Sequence, residues 1–164
     1  MRGKRIAVFA LLALPSAAWA AGPARPAGQD RLVTLRERFQ AERDPVHQAK
    51  NFSKLGEALL NLMRTEADAG SVSGAQAAFD EYRDDLRRTV AALKATGRNA
   101  EKNPNGFKEL QIYLRKTLRN IDQIILLVPF DERTPFEAVR REIASIDDEL
   151  YRLLFPRQPD AKKP

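Results

Sequence analysis

The 164-residue sequence contains no cysteine and only one histidine, His47. Without cysteine the chain can form no disulfide, thiolate metal site, iron–sulfur centre or covalent haem link, and it has no cysteine nucleophile. Di-iron bundles use Glu-x-x-His pairs on facing helices, and that spacing does not occur here. Met63 falls on the same predicted helix as His47, roughly four turns away, so the two cannot ligate one haem. The sequence therefore predicts no metal and no cofactor.

Motifs of common catalytic sites are also missing. The sequence has no phosphate-binding loop, no dinucleotide glycine motif and no Gly-x-Ser-x-Gly elbow. The acidic pairs Asp84-Asp85 and Asp147-Asp148 are adjacent residues, which diverge on a helix and do not meet at one point. His47 lies beside Asp44 and is expected to be solvated or associated with a helix cap. We therefore predict that the protein is not an enzyme.

Long hydrophobic runs are scarce, and the one present lies near the N-terminus. A basic start (Arg2, Lys4, Arg5) precedes the apolar run Ile6–Leu14, and Ala18-Trp19-Ala20 supplies small residues before a cleavage point. This is the order of a secretory signal peptide, and the run is too short to cross a membrane. The sequence predicts cleavage after Ala20 and a bacterial protein that is periplasmic or secreted.

Removal of residues 1–20 also removes three basic and no acidic residues, so the net charge falls from +6 to +3. This small positive excess does not indicate nucleic acid as a partner. Export also argues against nucleic-acid binding, because it removes the protein from the cytoplasm. The three basic residues of the C-terminal segment are too few for stable anchoring on anionic lipid. We predict that the partner is another envelope protein. We predict neither nucleic-acid binding nor stable membrane insertion after cleavage, and the sequence leaves the formation of a homo-oligomer undecided.

The remainder of the chain has helical periodicity and no sustained alternation typical of strands. Residues 21–28 are predicted to be a flexible leader, residues 29–156 a single helical domain and residues 157–164 a disordered tail. Within the domain, the apolar spacing and the Pro, Gly and Asn punctuation predict five helices. Their expected bounds are Asp30–Arg43, Pro45–Ala69, from Ser71 or Ser73 to Gly97, from Phe107 to Pro129, and Thr134–Pro156.

The fold class predicted from these lengths is all-α. Four long helices joined by short loops favour an up-and-down helical bundle, with the short N-terminal helix packed on one side. The alternative is two stacked helical hairpins of the tetratricopeptide (TPR) type. At the start of the fifth helix, Thr134-Pro135-Phe136-Glu137 predicts a capping box with Thr134 as N-cap.

About fifty residues of the second and third helices resemble a degenerate tetratricopeptide hairpin. Leu55-Gly56 and Ala58-Leu59 match positions of the first repeat helix, and Gly70, Ala75 and Phe79 match the turn and second helix. The sequence departs from the repeat because Gly56 and Gly70 are 14 residues apart, about two helical turns more than expected. The resemblance implies a protein-binding scaffold. The whole chain also resembles small exported helical bacterial proteins.

Three aromatic residues are candidate protein-binding residues: Phe130, Tyr113 and Tyr151. Phe130 lies in the Pro- and Phe-containing segment 128–136, which either plugs the end of the bundle or forms a docking edge. Tyr113 is off the main apolar stripe of its helix, next to arginine, as expected for an interface tyrosine. We expect a non-catalytic exported protein that binds another protein as a scaffold or adaptor. The alternative is a small-ligand carrier within a helical bundle, although the nearly uninterrupted apolar stripes argue against an internal cavity.

Overall fold

The computed structural model describes residues 27–156, with side chains from Asp30 onward. This part of the chain is helical and contains no strand, so the all-α prediction is confirmed. The predicted signal peptide, most of the leader and the tail 157–164 lie outside the described residues. The elements are listed in chain order: α1 Ala27–Ala41, α2 Pro45–Asp68, α3 Val72–Ala95, α4 Phe107–Ile125, a 3-10 turn Phe130–Glu132, and α5 Thr134–Leu154.

Local signals set the ends of α2. The Asp44 side chain accepts a hydrogen bond of 2.8 Å from the backbone N–H of Val46, and this bond lowers the pKa of Asp44. Pro45 occupies the first turn, where a missing N–H costs nothing. At the other end Gly70 has a φ of +75°, and the Ser71 N–H donates to the Glu66 carbonyl. This left-handed glycine ends α2 and turns the chain into α3, as the sequence predicted.

The four long helices form a bundle made of two antiparallel hairpins, α2–α3 and α4–α5, lying side by side. Cross-helix pairs give the directions. Arg87 pairs with Glu142 and Lys94 with Glu149, so residue numbers rise together and α3 runs parallel to α5.

Gly106 lies near Val46, and Phe52 contacts Tyr113, so α2 runs parallel to α4. The helices α2 and α5 lie diagonally opposite each other. Successive helices alternate in direction, but the helices in contact between the two hairpins, α2 with α4 and α3 with α5, are parallel. The bundle therefore has the arrangement of two stacked hairpins, which was the alternative, and not that of a bundle in which all neighbours are antiparallel. The relationship to tetratricopeptide repeats stays a prediction.

The short N-terminal helix α1 packs against α2. It is also joined to α3 by an ion pair in which the Arg36 guanidinium donates to both carboxylate oxygens of Glu81. This places α1 on one side of the bundle, where the sequence analysis expected it.

One continuous apolar core runs through all five helices. Its largest fully buried side chains are Tyr82, Phe52, Phe79, Phe107, Phe136, Leu55, Leu59, Met63, Leu86, Leu93, Leu110 and Leu114. Met63 is therefore a core residue. Within each helix these residues stand three, four or seven positions apart, because a helix with one wide apolar face buries it against its neighbours.

Three local expectations differ from the structure. Helix α1 begins at Ala27, inside the segment expected to be a leader, and α4 ends at Ile125 rather than near Pro129. The capping box at Thr134 does not form: Thr134 is already helical, and no side chain caps α5. The reason is that the preceding 3-10 turn leaves Arg133 with φ −74° and ψ −25°, so the chain enters α5 without the extended residue that a side-chain cap needs.

Candidate functional site

Three exposed apolar side chains lie together in sequence where α4 ends and the chain turns toward α5. Phe130 is 85% exposed and Leu126 is 67% exposed, and Leu127 is exposed as well. We call Leu126, Leu127 and Phe130 the loop patch. Exposed apolar residues that are scattered singly are ordinary, whereas large contiguous apolar patches mark interaction sites.

The connection that carries the loop patch is fixed by its neighbours. Val128 is fully buried and anchors the loop to the core. The Arg133 guanidinium donates to the Val128 carbonyl through Nε at 2.8 Å and to the Leu126 carbonyl through Nη2 at 3.0 Å. The same guanidinium lies 5.8 Å from the centre of the Phe130 ring. Phe130 is therefore presented to solvent by a loop that is already ordered.

The two phenylalanines of the segment 128–136 have different roles. Phe136 is fully buried and stacks on Phe79 of α3, with ring centres 6.0 Å apart. Phe130 points into solvent. The segment therefore combines the two alternatives: Val128 and Phe136 close the core, and Phe130 is left outside it.

Tyr113 is not exposed in the way its off-stripe position suggested. It is half-buried and packs on the core, with its ring edge-on to Phe52 at 5.9 Å between centres. Burial raises its pKa to about 12. Its hydroxyl lies against Gly56 of α2, and this hydroxyl and that of Tyr82 are both buried without a protein hydrogen-bond partner in the described part of the chain. Tyr113 therefore contributes mainly to the contact between α2 and α4.

Tyr151 is 44% exposed and lies near the C-terminal end of α5. Its ring is 5.0 Å from that of Phe155, which is 61% exposed, and the Arg115 guanidinium sits 5.4 Å above it. The sequence analysis missed Phe155 because it stands next to Pro156, at a helix end where periodicity gives no signal. Tyr151 and Phe155 form a second exposed aromatic pair on the α5 side of the bundle.

The titratable residues that the sequence analysis considered, His47 and the two acidic pairs, lie on separate parts of the bundle. His47 is exposed, with Nδ1 3.8 Å from Asp44 Oδ2. Within residues 30–156 no group of three or more acidic or histidine residues could hold a metal ion. Burial raises the pKa of Asp85 and that of Asp147, but each carboxylate faces a nearby arginine and the two lie on different helices. Buried carboxylates of this kind also occur in structural ion-pair networks.

A groove between α1 and α2 was not expected from the sequence. It has a volume of about 430 Å³, and its apolar floor is made by Leu32 and Leu35 of α1 and by Ala58 and Leu62 of α2. Its polar rim consists of Arg31, Lys54, Glu57, Asn61, Thr65 and Glu66. Periodicity identified the apolar stripes but not the gap between them, since the gap depends on how far apart two packed helices stand.

Among the helices that the structure describes, none combines the length and apolarity needed to cross a membrane. No protein-family model, curated protein or solved structure matches the chain.

Proposed function

We propose that the protein is a non-catalytic exported protein that binds another envelope protein through the loop patch. The observation that carries this proposal is the exposure of Phe130 on an ordered loop beside Leu126 and Leu127. Protein interfaces have apolar and aromatic anchors at their centres, surrounded by polar residues. The loop patch has this composition, because Asp131, Glu132 and Arg133 follow Phe130 directly.

The ordered loop favours binding for a thermodynamic reason. Covering a phenylalanine side chain that was exposed contributes about 1.5–3 kcal/mol. Ordering a mobile loop during binding would offset part of that gain. Here the buried Val128 and the two hydrogen bonds from Arg133 hold the loop before any partner arrives. The signal peptide predicts a periplasmic or secreted protein, so the partner is sought in the envelope fraction.

The test is a crosslinking pull-down from the envelope fraction, with the chain expressed from its full-length sequence. We expect Phe130→Ser to reduce the recovery of a specific partner at least tenfold. Val33→Ser is the control, because Val33 is an exposed apolar residue on α1 and does not belong to the loop patch. Equal recovery by the wild type and both variants would refute the assignment of the loop patch. Circular dichroism confirms that each variant is folded.

The second candidate function is small-ligand carriage, which the groove between α1 and α2 favours. A volume of about 430 Å³ lies within the range of small-molecule sites, roughly 300–1,000 Å³. The groove lies between α1 and α2, outside the four-helix core. The uninterrupted apolar stripes of that core argue against an internal cavity, but not against a groove at this position.

A further inference from the structure

The loop patch and the Tyr151–Phe155 pair lie at opposite ends of the α4–α5 hairpin. The loop patch lies where α4 ends and the chain turns into α5, whereas Tyr151 and Phe155 lie at the C-terminal end of α5, beside the N-terminal half of α4. Helix α5 has 21 residues and therefore spans roughly 30 Å. At this separation the two surfaces cannot meet within one copy of the chain.

The surface around the Tyr151–Phe155 pair includes part of α4. The Arg115 guanidinium lies 5.4 Å from the centre of the Tyr151 ring, and Ile112 precedes Arg115 by about one helical turn. Ile112 is 43% exposed, and Tyr151 and Phe155 are exposed as well. We call Ile112, Arg115, Tyr151 and Phe155 the aromatic patch. It combines two aromatic rings and one aliphatic side chain with an exposed arginine.

The charges around the two patches have opposite signs. From Leu126 to Glu137 there are three acidic residues and one basic residue, Arg133, which donates to carbonyls of its own loop. Around the aromatic patch, the segments 108–119 and 147–155, together with Lys94, which pairs with Glu149, contain six basic and four acidic residues. The loop patch therefore lies in an excess of two negative charges, and the aromatic patch lies in an excess of two positive charges.

Several of these charged groups are free to face a partner. Asp131 and Glu132 are exposed and make no ion pair with any residue from 30 to 156. On α4 the same is true of Lys108, Lys116 and Arg119. Charge complementarity favours contact between the two different patches and opposes contact between two copies of the same patch.

We propose that the loop patch of one copy binds the aromatic patch of a second copy, so that the protein associates head to tail. The apolar side chains of the loop patch cover those of the aromatic patch, and Asp131 and Glu132 face the cations of α4. Because the two patches differ, each contact leaves one patch of either kind free, and copies add until a ring closes or a filament grows. The contact is smaller than a standard interface of about 20–30 residues per side, so the association is weak and sensitive to salt. The inference rests on the proposed binding role of the loop patch and specifies a second copy as the partner.

Sedimentation velocity of the purified protein, expressed from its full-length sequence, tests the proposal. We expect the weight-average sedimentation coefficient to rise with protein concentration in the range of about 1 μM to 1 mM, and to exceed the value of a dimer. Dilution should reverse the rise. Salt at about 1 M, where the Debye length is about 3 Å, should weaken the association several-fold.

Two variants that each disable one patch distinguish a head-to-tail contact from other modes. Phe130→Ser alters the loop patch, and Tyr151→Ser combined with Phe155→Ser alters the aromatic patch. Each variant alone should associate at least tenfold more weakly than the wild type. An equimolar mixture of the two should form a 1:1 complex, because each variant retains the patch that the other lacks. Leu153→Ser is the matched control, since Leu153 is exposed on α5 but lies roughly 200° around the helix from Tyr151.

Charge reversal at exposed positions supplies further variants should the double substitution on α5 not fold. Glu132→Lys and Arg119→Glu should each weaken association several-fold, and the protein that carries both should recover part of the loss. Lys50→Glu is the control, because Lys50 is exposed on α2 and belongs to neither patch. An equal loss with Lys50→Glu would show that only net charge matters and would overturn the pairing of the patches.

The outcomes separate this inference from the proposed function. A wild-type protein that stays monomeric up to about 1 mM would overturn the second copy as partner; the proposed function would still stand if Phe130→Ser loses another envelope protein in the pull-down. Association that stops at a dimer and is not recovered in the mixture would overturn the head-to-tail contact. If Phe130→Ser abolishes self-association but leaves the recovery of every other envelope protein unchanged, the proposed function falls and the self-association stands.

Discussion

Gly56 in the middle of α2 lies where two tyrosines approach the helix, so Gly56→Ala tests the contact between the two hairpins. A Cβ at this position would lie 3.0 Å from Cε2 of Tyr82 and 3.1 Å from Cζ of Tyr113, and closer still to the Tyr113 hydroxyl. Alanine is favoured over glycine in a helix by about 1 kcal/mol. Overpacking a core costs about 1–3 kcal/mol. We therefore expect Gly56→Ala to lower the free energy of unfolding by up to about 2 kcal/mol.

Removing the Tyr113 hydroxyl should reduce the cost of Gly56→Ala. Tyr113→Phe deletes the atom nearest to the new Cβ and a buried hydroxyl that has no protein hydrogen-bond partner among the described residues. On its own it should be neutral or slightly stabilising. In the Tyr113→Phe background, Gly56→Ala should then cost about 1 kcal/mol less than in the wild type, because the nearest clash is gone while the close contacts with Tyr82 Cε2 and with Cζ of residue 113 remain.

Urea unfolding of the four proteins, followed by circular dichroism at 222 nm, measures both effects as a double-mutant cycle. We expect a coupling free energy of about 1 kcal/mol or more between the two positions. A coupling below about 0.5 kcal/mol, the usual limit for independent sites, would show that the hydroxyl does not define the α2–α4 distance. An increase in stability for Gly56→Ala alone would contradict the close approach itself.

Three further substitutions test other parts of the structure by the same unfolding measurement. Leu114→Ala should cost about 2–5 kcal/mol, because Leu114 is fully buried; a neutral result would mean that α4 presents another face to the core. Thr134→Ala should change stability by less than about 0.5 kcal/mol, since Thr134 is exposed and caps nothing. Asp147→Asn should be stabilising at pH 7 and lose this advantage near pH 3. Burial raises the pKa of Asp147, so the wild type loses stability as the pH rises from the pKa of the unfolded state to the higher pKa of the folded state. A stability difference between the wild type and Asp147→Asn that does not change with pH would refute this reasoning.

The sequence was sufficient for the fold class and for most helix positions, because these depend on signals within one helix. The buried residues Leu110, Leu114 and Ile121 recur at helical spacing in the sequence, and Asp44-Pro45 and Gly70 lie at the ends of α2. These features require only the helical period and the conformational preferences of single residues.

The surfaces were harder to predict because they depend on distances between helices. Tyr113 lies off the stripe of its own helix, yet it is covered because Gly56 lets α4 approach α2. Phe130 and Phe136 stand in similar sequence surroundings, and only the path of the loop places one in solvent and the other on Phe79. The groove is a gap between two stripes and has no sequence pattern of its own.

The side-by-side arrangement of the hairpins has a consequence for the order of folding. Contacts within α2–α3 and within α4–α5 join helices that are neighbours along the chain, whereas the α2–α4 and α3–α5 contacts bridge distant segments. Contacts between nearby segments form faster, because less loop-closure entropy is lost. We therefore expect each hairpin to form early and the two to dock late. A substitution in the docking contact, such as one at Gly56, would then speed unfolding more than it slows folding.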